Sequence, residues 1–272
     1  MPATKAQPKE MLTIVDRPTI QYIIEEAVKA GLDEILIVTG RGKNSIENHF
    51  DHNVKLEKAL KKKKKLSLLK EVQNISKMVN IHYVRQKEPR GLGHAIYCAR
   101  TFVGSEPFAI LLADDIISSS TPAIGQMAEI YNKTKKPVIG LKNVPKNDVN
   151  KYGIIAYNNQ NDNKYSLTDM VEKPEPENAP SHLAIMGRYI VTPDIFPILA
   201  ELKPGKKGEI QLTDALKNLL AKREILGYKL PGERFDMGNK LAYLKATVGL
   251  ALRREDLADE FKDFLKTVVN EK

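Results

Sequence analysis

Short apolar, β-branched runs recur at 35–38, 81–84, 108–112, 138–141 and 185–191, with stretches of helical spacing between them. That rhythm predicts an α/β protein with a mixed, mostly parallel sheet flanked by helices. Ile20, Ile23, Ile24 and Ala27 follow Pro18-Thr19 at three-to-four spacing and predict a helix that stops at Gly31. From Leu56 through Leu60, Leu66, Leu69, Val72 and Ile75 to Val79, the same spacing predicts one long helix inserted between strands. Residues 142–180 are richer in Asn, Asp, Pro and Lys, with weak strand signals at 152–155 and 165–167. They read as a substrate-side lobe with long loops. Leu241, Leu244, Val248 and Leu252, then Leu257, Phe261 and Leu265, predict one or two closing helices. The expected division is a main domain over 1–240, containing a lobe at 142–190, and a helical segment over 241–272.

Composition narrows the class. With 272 residues, 42% hydrophobic and 28% charged, the chain can bury roughly three quarters of its unfolded surface without metal or disulfide staples. Its single cysteine, Cys98, excludes an internal disulfide, and no apolar run reaches the length of a membrane span. The first eleven residues lack the apolar block of a signal peptide, so a cytoplasmic location is expected. The formal net charge of +9 is local: eight lysines against one glutamate between 55 and 70 account for most of it. Neither a nucleic-acid nor a membrane partner is expected from so uneven a charge. The lysine run reads first as a solvated helix flank, and otherwise as a dock for an anionic polymer or a membrane surface.

Residues just after strands carry the candidate chemistry, because open α/β sheets bind ligands at the carboxyl ends of their strands. Gln86 follows one strand, and its amide can both donate to and accept from a base edge, while Gly91 and Gly93 let backbone approach a planar ligand. Asp114 and Asp115 follow another strand, as hard oxygen ligands suited to Mg²⁺ or as turn and cap residues. Glu172 suits sugar hydroxyls and Lys173 a phosphate. Gly187 would admit a sugar ring against backbone, and Asp236 is a second metal ligand or a turn former. Read by itself, the leader with Lys5 and Lys9 is a solvated terminus.

The strings PATKAQPKEM, GLGHA, LLADD, VEKP, MGRY, GEIQLTDA and FDMGNK stand in one order and at one spacing. The set resembles the bacterial UTP–glucose-1-phosphate uridylyltransferases among the sugar-phosphate nucleotidylyltransferases, from Pro2 to about residue 265. The resemblance implies a Rossmann-like fold of the nucleotide-diphospho-sugar transferase type, and formation of UDP-glucose and pyrophosphate from UTP and glucose 1-phosphate. It implies Lys9 and Lys173 as catalytic cations, and Lys9, Glu10, Gln86, Gly91 and Asp114 around the nucleotide. Gly153, Glu172, Lys173, Gly187 and Glu209 would surround the sugar, Asp114 and Asp236 would hold Mg²⁺, and a homodimer or homotetramer is implied. A related enzyme for another base or sugar, or a non-catalytic sugar-nucleotide-binding paralogue, is the alternative. Family members carry an apolar strand and a G-x-G-T-R loop ahead of the P-A-T-K segment, and neither stands in these residues. The sheet's first strand is therefore expected to be missing, its neighbours to lack ladder partners, and turnover to be poor. A start placed too late, a truncation and a degenerate paralogue each account for that, the first most simply because every later segment is intact.

Overall fold

The computed structural model describes residues 2–205, 208–238 and 240–270, with the side chains of Pro2 and Ala3 left aside. Asn239 of the FDMGNK string lies outside the described residues. Two 3-10 turns, Pro2–Lys5 and Lys9–Met11, lead into a short hairpin of β1 (Thr13–Ile14) and β2 (Arg17–Pro18). Pro18 stands just before helix α1 (Thr19–Lys29), which buries Ile20, Ile23, Ile24 and Ala27 as the spacing requires. Strand β3 (Glu34–Thr39) follows, then three helices, α2 (Asn44–Phe50), α3 (Val54–Lys62) and α4 (Leu66–Ser76). Strand β4 (Asn80–Arg85) pairs in parallel with β3.

After α5 (Leu92–Cys98) and α6 (Arg100–Val103) come β5 (Phe108–Leu111), β6 (Asp115–Ser118), α7 (Ala123–Thr134) and β7 (Val138–Asn143). A 3-10 turn at Lys146–Lys151 precedes the long hairpin of β8 (Gly153–Asn161) and β9 (Lys164–Glu172), and β10 (Leu183–Val191) returns to the sheet. The chain ends with α8 (Ile195–Glu201), α9 (Leu212–Leu220), β11 (Leu226–Lys229), β12 (Glu233–Asp236), α10 (Lys240–Ala251) and α11 (Ala258–Asn270).

The main sheet has the order β5-β10-β7-β11-β9-β8. Its helix-flanked, mixed α/β character matches the expectation, but the balance of strand directions does not. Strand β10 runs antiparallel to β5, β7 and β8, β9 runs antiparallel to β8 and β11, and only β7 with β11 is parallel in this sheet. The reason is burial. Every residue of β10 is buried, with Ile185, Tyr189 and Val191 against α8 and α9 and Ala184, Met186 and Ile190 against α7. A strand covered on both faces reads as an unbroken apolar run whichever way it points.

The long lysine helix is also corrected: it is two helices reversing at residues 63–65, with Lys64 in the left-handed region at φ 54°. Lys65 N donates to Leu60 O and Lys64 N to Lys61 O, closing α3 with a Schellman-type cap. Consecutive like charges with no apolar face to bury favour that stop over continuation. Among the described residues β3 is bonded to β4 alone and β5 to β10 alone, and all four residues of β5 are only half-buried, as expected for strands with an open edge. A buried ion pair joins layers: Arg188 on β10, fully buried, places Nη2 2.6 Å from Glu26 Oε2 on α1, and Glu26 also accepts from Ile124 N.

Candidate active site

Carboxylates gather where β6 and β12 pair. Their register sets Asp236 opposite Asp115, and Met237 N donates to Asp114 O at 3.0 Å, so the turn after β5 and the end of β12 are held together. Lys9, from the leader, reaches this point: its Nζ lies 2.5 Å from Asp114 Oδ2. Burial would lower the Lys9 pKa, but the Asp114 carboxylate prevails and raises it above the ordinary lysine value. Asp236 accepts from Gly238 N at 2.7 Å and faces the Tyr152 hydroxyl at 3.5 Å.

The neighbouring acids have other duties. Asp115 is buried, accepting from Gly187 N at 3.1 Å and from Arg234 Nε at 2.6 Å. Burial pushes its carboxyl above the usual range, against the pull of Arg234 and Arg188. Arg234 also donates to the Tyr152 hydroxyl and comes within 3.6 Å of Asp236 Oδ2, so one guanidinium ties the buried acid to the half-buried one. Glu10 turns inward, its Oε1 paired with Lys43 Nζ at 2.8 Å and its Oε2 buried without a hydrogen-bond partner. That pair fastens the Lys9 turn to the loop after β3.

Gln86, one residue past β4, is fixed on both sides. Its backbone N donates to Thr39 O at 2.8 Å, and its side-chain Nε2 donates to Gly91 O at 3.1 Å and sits 2.9 Å from His94 Nδ1. Both contacts occupy the amide's donor end and leave Oε1 as an acceptor. Gly91 has φ 94°, and a Cβ there would lie 2.7 Å from Ile210 O. Gly93 N donates to Ile210 O and Ile210 N to Arg90 O, which explains why GLGHA and GEIQL belong to one site.

On the long hairpin, the β8–β9 register sets Gly153 against Glu172. Glu172 Oε2 accepts from Thr213 Oγ1 at 2.6 Å, and its Oε1 lies 3.3 Å from Lys173 Nζ. Lys173 has φ 46°, uncommon for a side chain with a Cβ, and keeps more than half of its side chain exposed. Glu209 Oε2 accepts from Gln211 Nε2, beside Gly91. At Gly187 a Cβ would lie 2.8 Å from Leu112 Cβ, so the protein's own packing demands glycine there. Lys43, Tyr152, Thr213 and Arg234 were not anticipated. Thr213 and Arg234 do stand within or beside the quoted GEIQLTDA and FDMGNK strings.

The nucleotidyl transferase family profile matches residues 1–252. A UTP–glucose-1-phosphate uridylyltransferase of Bacillus subtilis is 48% identical over 270 residues, covering 99% of this chain and 92% of the relative. One from Staphylococcus saprophyticus is 51% identical over 98% of this chain and 92% of its own length. The chain belongs to the UTP–glucose-1-phosphate uridylyltransferases, within the nucleotidyl transferase family. Solved uridylyltransferases share the fold. A UDP-glucose pyrophosphorylase complexed with UDP-glucose has a TM-score of 0.85 at 44% identity, over 93% of this chain and 94% of the other. A UTP-bound enzyme from Acinetobacter baumannii has a TM-score of 0.90 at 39% identity, over 97% and 93%.

Proposed function

We propose that this uridylyltransferase joins UTP to glucose 1-phosphate, releasing pyrophosphate and forming UDP-glucose. A phosphate oxygen of glucose 1-phosphate attacks the α-phosphorus of UTP, and the new P–O bond forms as the bond to the pyrophosphate oxygen breaks. Such chemistry needs alignment and charge neutralisation rather than a covalent enzyme intermediate. The observation that carries the reading is the convergence of Lys9, Asp114 and Asp236 at the ends of β5 and β12.

Mg²⁺ takes one or two protein carboxylates and completes its shell with water and phosphate, and two carboxylates at one locus, with a cation already drawn to one of them, fit that demand. Asp114 and Asp236 would hold the ion, which when bound neutralises phosphate charge and fixes the α-phosphate. Lys9 would bind the nucleotide phosphates, with Glu10 and Lys43 bracing its turn. Gln86 Oε1 would accept from the uracil N3–H while Gly91 N donates to a uracil carbonyl. Glu172, aimed by Thr213, would accept from glucose hydroxyls together with Glu209 and the backbone at Gly153 and Gly187, and Lys173 would neutralise the sugar phosphate. The free, half-buried Cys98 suits the cytoplasm. No helix of the described residues is long and apolar enough to cross a membrane. We further propose a homodimer or homotetramer.

The test is pyrophosphate release from UTP and glucose 1-phosphate with and without Mg²⁺. Metal-dependent release, faster with UTP than with dTTP and with glucose 1-phosphate than with other sugar phosphates, is expected. UDP-glucose binding without pyrophosphate exchange would overturn the catalytic reading.

A further inference from the structure

Outside the cleft, the α3–α4 hairpin holds charge and apolar surface that the reaction does not use. Neither helix buries a side chain, and residues 61–68 are exposed throughout. Lys61, Lys62, Lys63, Lys64 and Lys65 stand together at the reversal, and directly after them Leu66 is 64% and Leu68 46% exposed. Among the described residues none of these lysines makes an ion pair or a side-chain hydrogen bond. The carboxylate of Glu57 on α3 is occupied by Gln73 at 2.9 Å and His52 at 3.1 Å.

We propose that this tip docks the protein onto an anionic lipid bilayer, with the lysines among the headgroups and Leu66 and Leu68 at the acyl boundary. Charge complementarity rejects a second copy of the same tip, which would set five lysines against five. A helix-binding groove on an acidic protein wants apolar anchors at i, i+3, i+4 and i+7. Leu66 and Leu68 are two residues apart, about 200° around the helix, and flank the tip instead of lining a stripe. A nucleic acid would use the lysines but leave both leucines in water. A bilayer uses both, since lysine stems reach headgroup charge while short apolar side chains enter beneath them. Five lysines and two leucines make a reversible anchor, sensitive to salt and to lipid charge.

The experiment is co-sedimentation of the full chain with vesicles of phosphatidylcholine alone, or with a third of that lipid replaced by phosphatidylglycerol, at low and high salt. One variant carries Lys→Gln at all five positions, and another carries Leu66→Ser with Leu68→Ser. Wild type should pellet with the anionic vesicles at low salt and not with neutral ones, and each variant should lose at least about tenfold in partitioning. Both variants should keep the wild-type circular dichroism spectrum and melting curve, because the altered side chains touch no core. Failure of wild type to pellet with anionic vesicles overturns the proposal. So does a leucine variant that binds like wild type, which marks the tip as a polyanion site.

Discussion

At Lys9 two influences oppose each other, and the structure makes their separation measurable. Burial disfavours the ammonium, the Asp114 carboxylate favours it, and the carboxylate wins. A raised lysine pKa means that the pair's contribution to stability is complete below 10.5, the ordinary value, and is lost only as pH rises through the higher folded value. In Asp114→Asn the burial remains and the largest raising charge is gone, with Glu10 and Asp236 still nearby, so the Lys9 pKa should fall from its wild-type position. NMR titration of Lys side chains labelled at Cε tests this, and an unmoved Lys9 would show that Asp114 does not set its protonation. The same carboxylate governs turnover. Asp114→Ala removes a proposed metal ligand and the partner of Lys9 together, whereas Lys173→Ala removes one exposed cation, so Asp114→Ala should lower kcat by at least about 100-fold and no less than Lys173→Ala. Wild-type-like pyrophosphate release from Asp114→Ala would remove the metal assignment. The residues expected in the site came from position after a strand, as at Gln86 and Asp114, or, as at Gly153 and Glu209, from the family resemblance alone. What could not be read was division of labour: nothing in Ala113-Asp114-Asp115 says that the first acid stays partly open beside Lys9 while the second is sealed against Gly187 N and Arg234.

Among the elements, the helix pair α3–α4 shows where periodicity misleads. Leu60 and Leu66 continue a three-to-four pattern across the lysines, yet the backbone reverses there, which sets α4 against α3 and lets Ile75 pack beside Ile46 and Phe50. Strands 152–155 and 165–167 were underestimated for the opposite reason. The outer end of β8 is exposed and polar at Asn158, Asn159 and Gln160, so its extended form comes from pairing with β9, which a single segment does not display. The reversal at Lys64 yields a stability prediction. A residue with a Cβ at φ 54° in a Schellman-type cap is held against its preference, and glycine carries no such penalty. Lys64→Gly should therefore stabilise the chain by about 0.5–1 kcal/mol, read as a higher urea midpoint with unchanged m-value. A lower midpoint would mean that the left-handed turn is not the conformation adopted in solution.

For the whole molecule, the last two helices differ in what they cover. Ala246, Tyr243 and Leu250 of α10 pack with Ile14, Ile23, Ile116 and Phe235, so this helix closes the core beside the β6–β12 pair that carries Asp236. The outer side of α10 and the whole of α11 are another matter. Leu241 and Leu244 are each about 60% exposed, α11 buries no residue, and Phe264, Val268 and Val269 lie open to solvent. Phe261, Phe264, Leu265 and Val268 recur at i, i+3, i+4 and i+7, the stripe by which one helix seats against another. Because these side chains are contiguous along one helix, self-association through this face would cover apolar surface that the fold leaves open among the described residues, whereas the lysine tip would be kept apart by its charge. Sedimentation equilibrium should then show a dimer or a larger closed assembly at micromolar concentration, and Phe264→Glu with Val268→Glu should raise the dissociation constant at least about 100-fold, since each glutamate would have to be desolvated without a partner. Circular dichroism of the variant should be unchanged, because neither position contacts the core. A wild-type chain that stays monomeric across that range would show that α11 is stable without a partner copy and that the face serves some other contact.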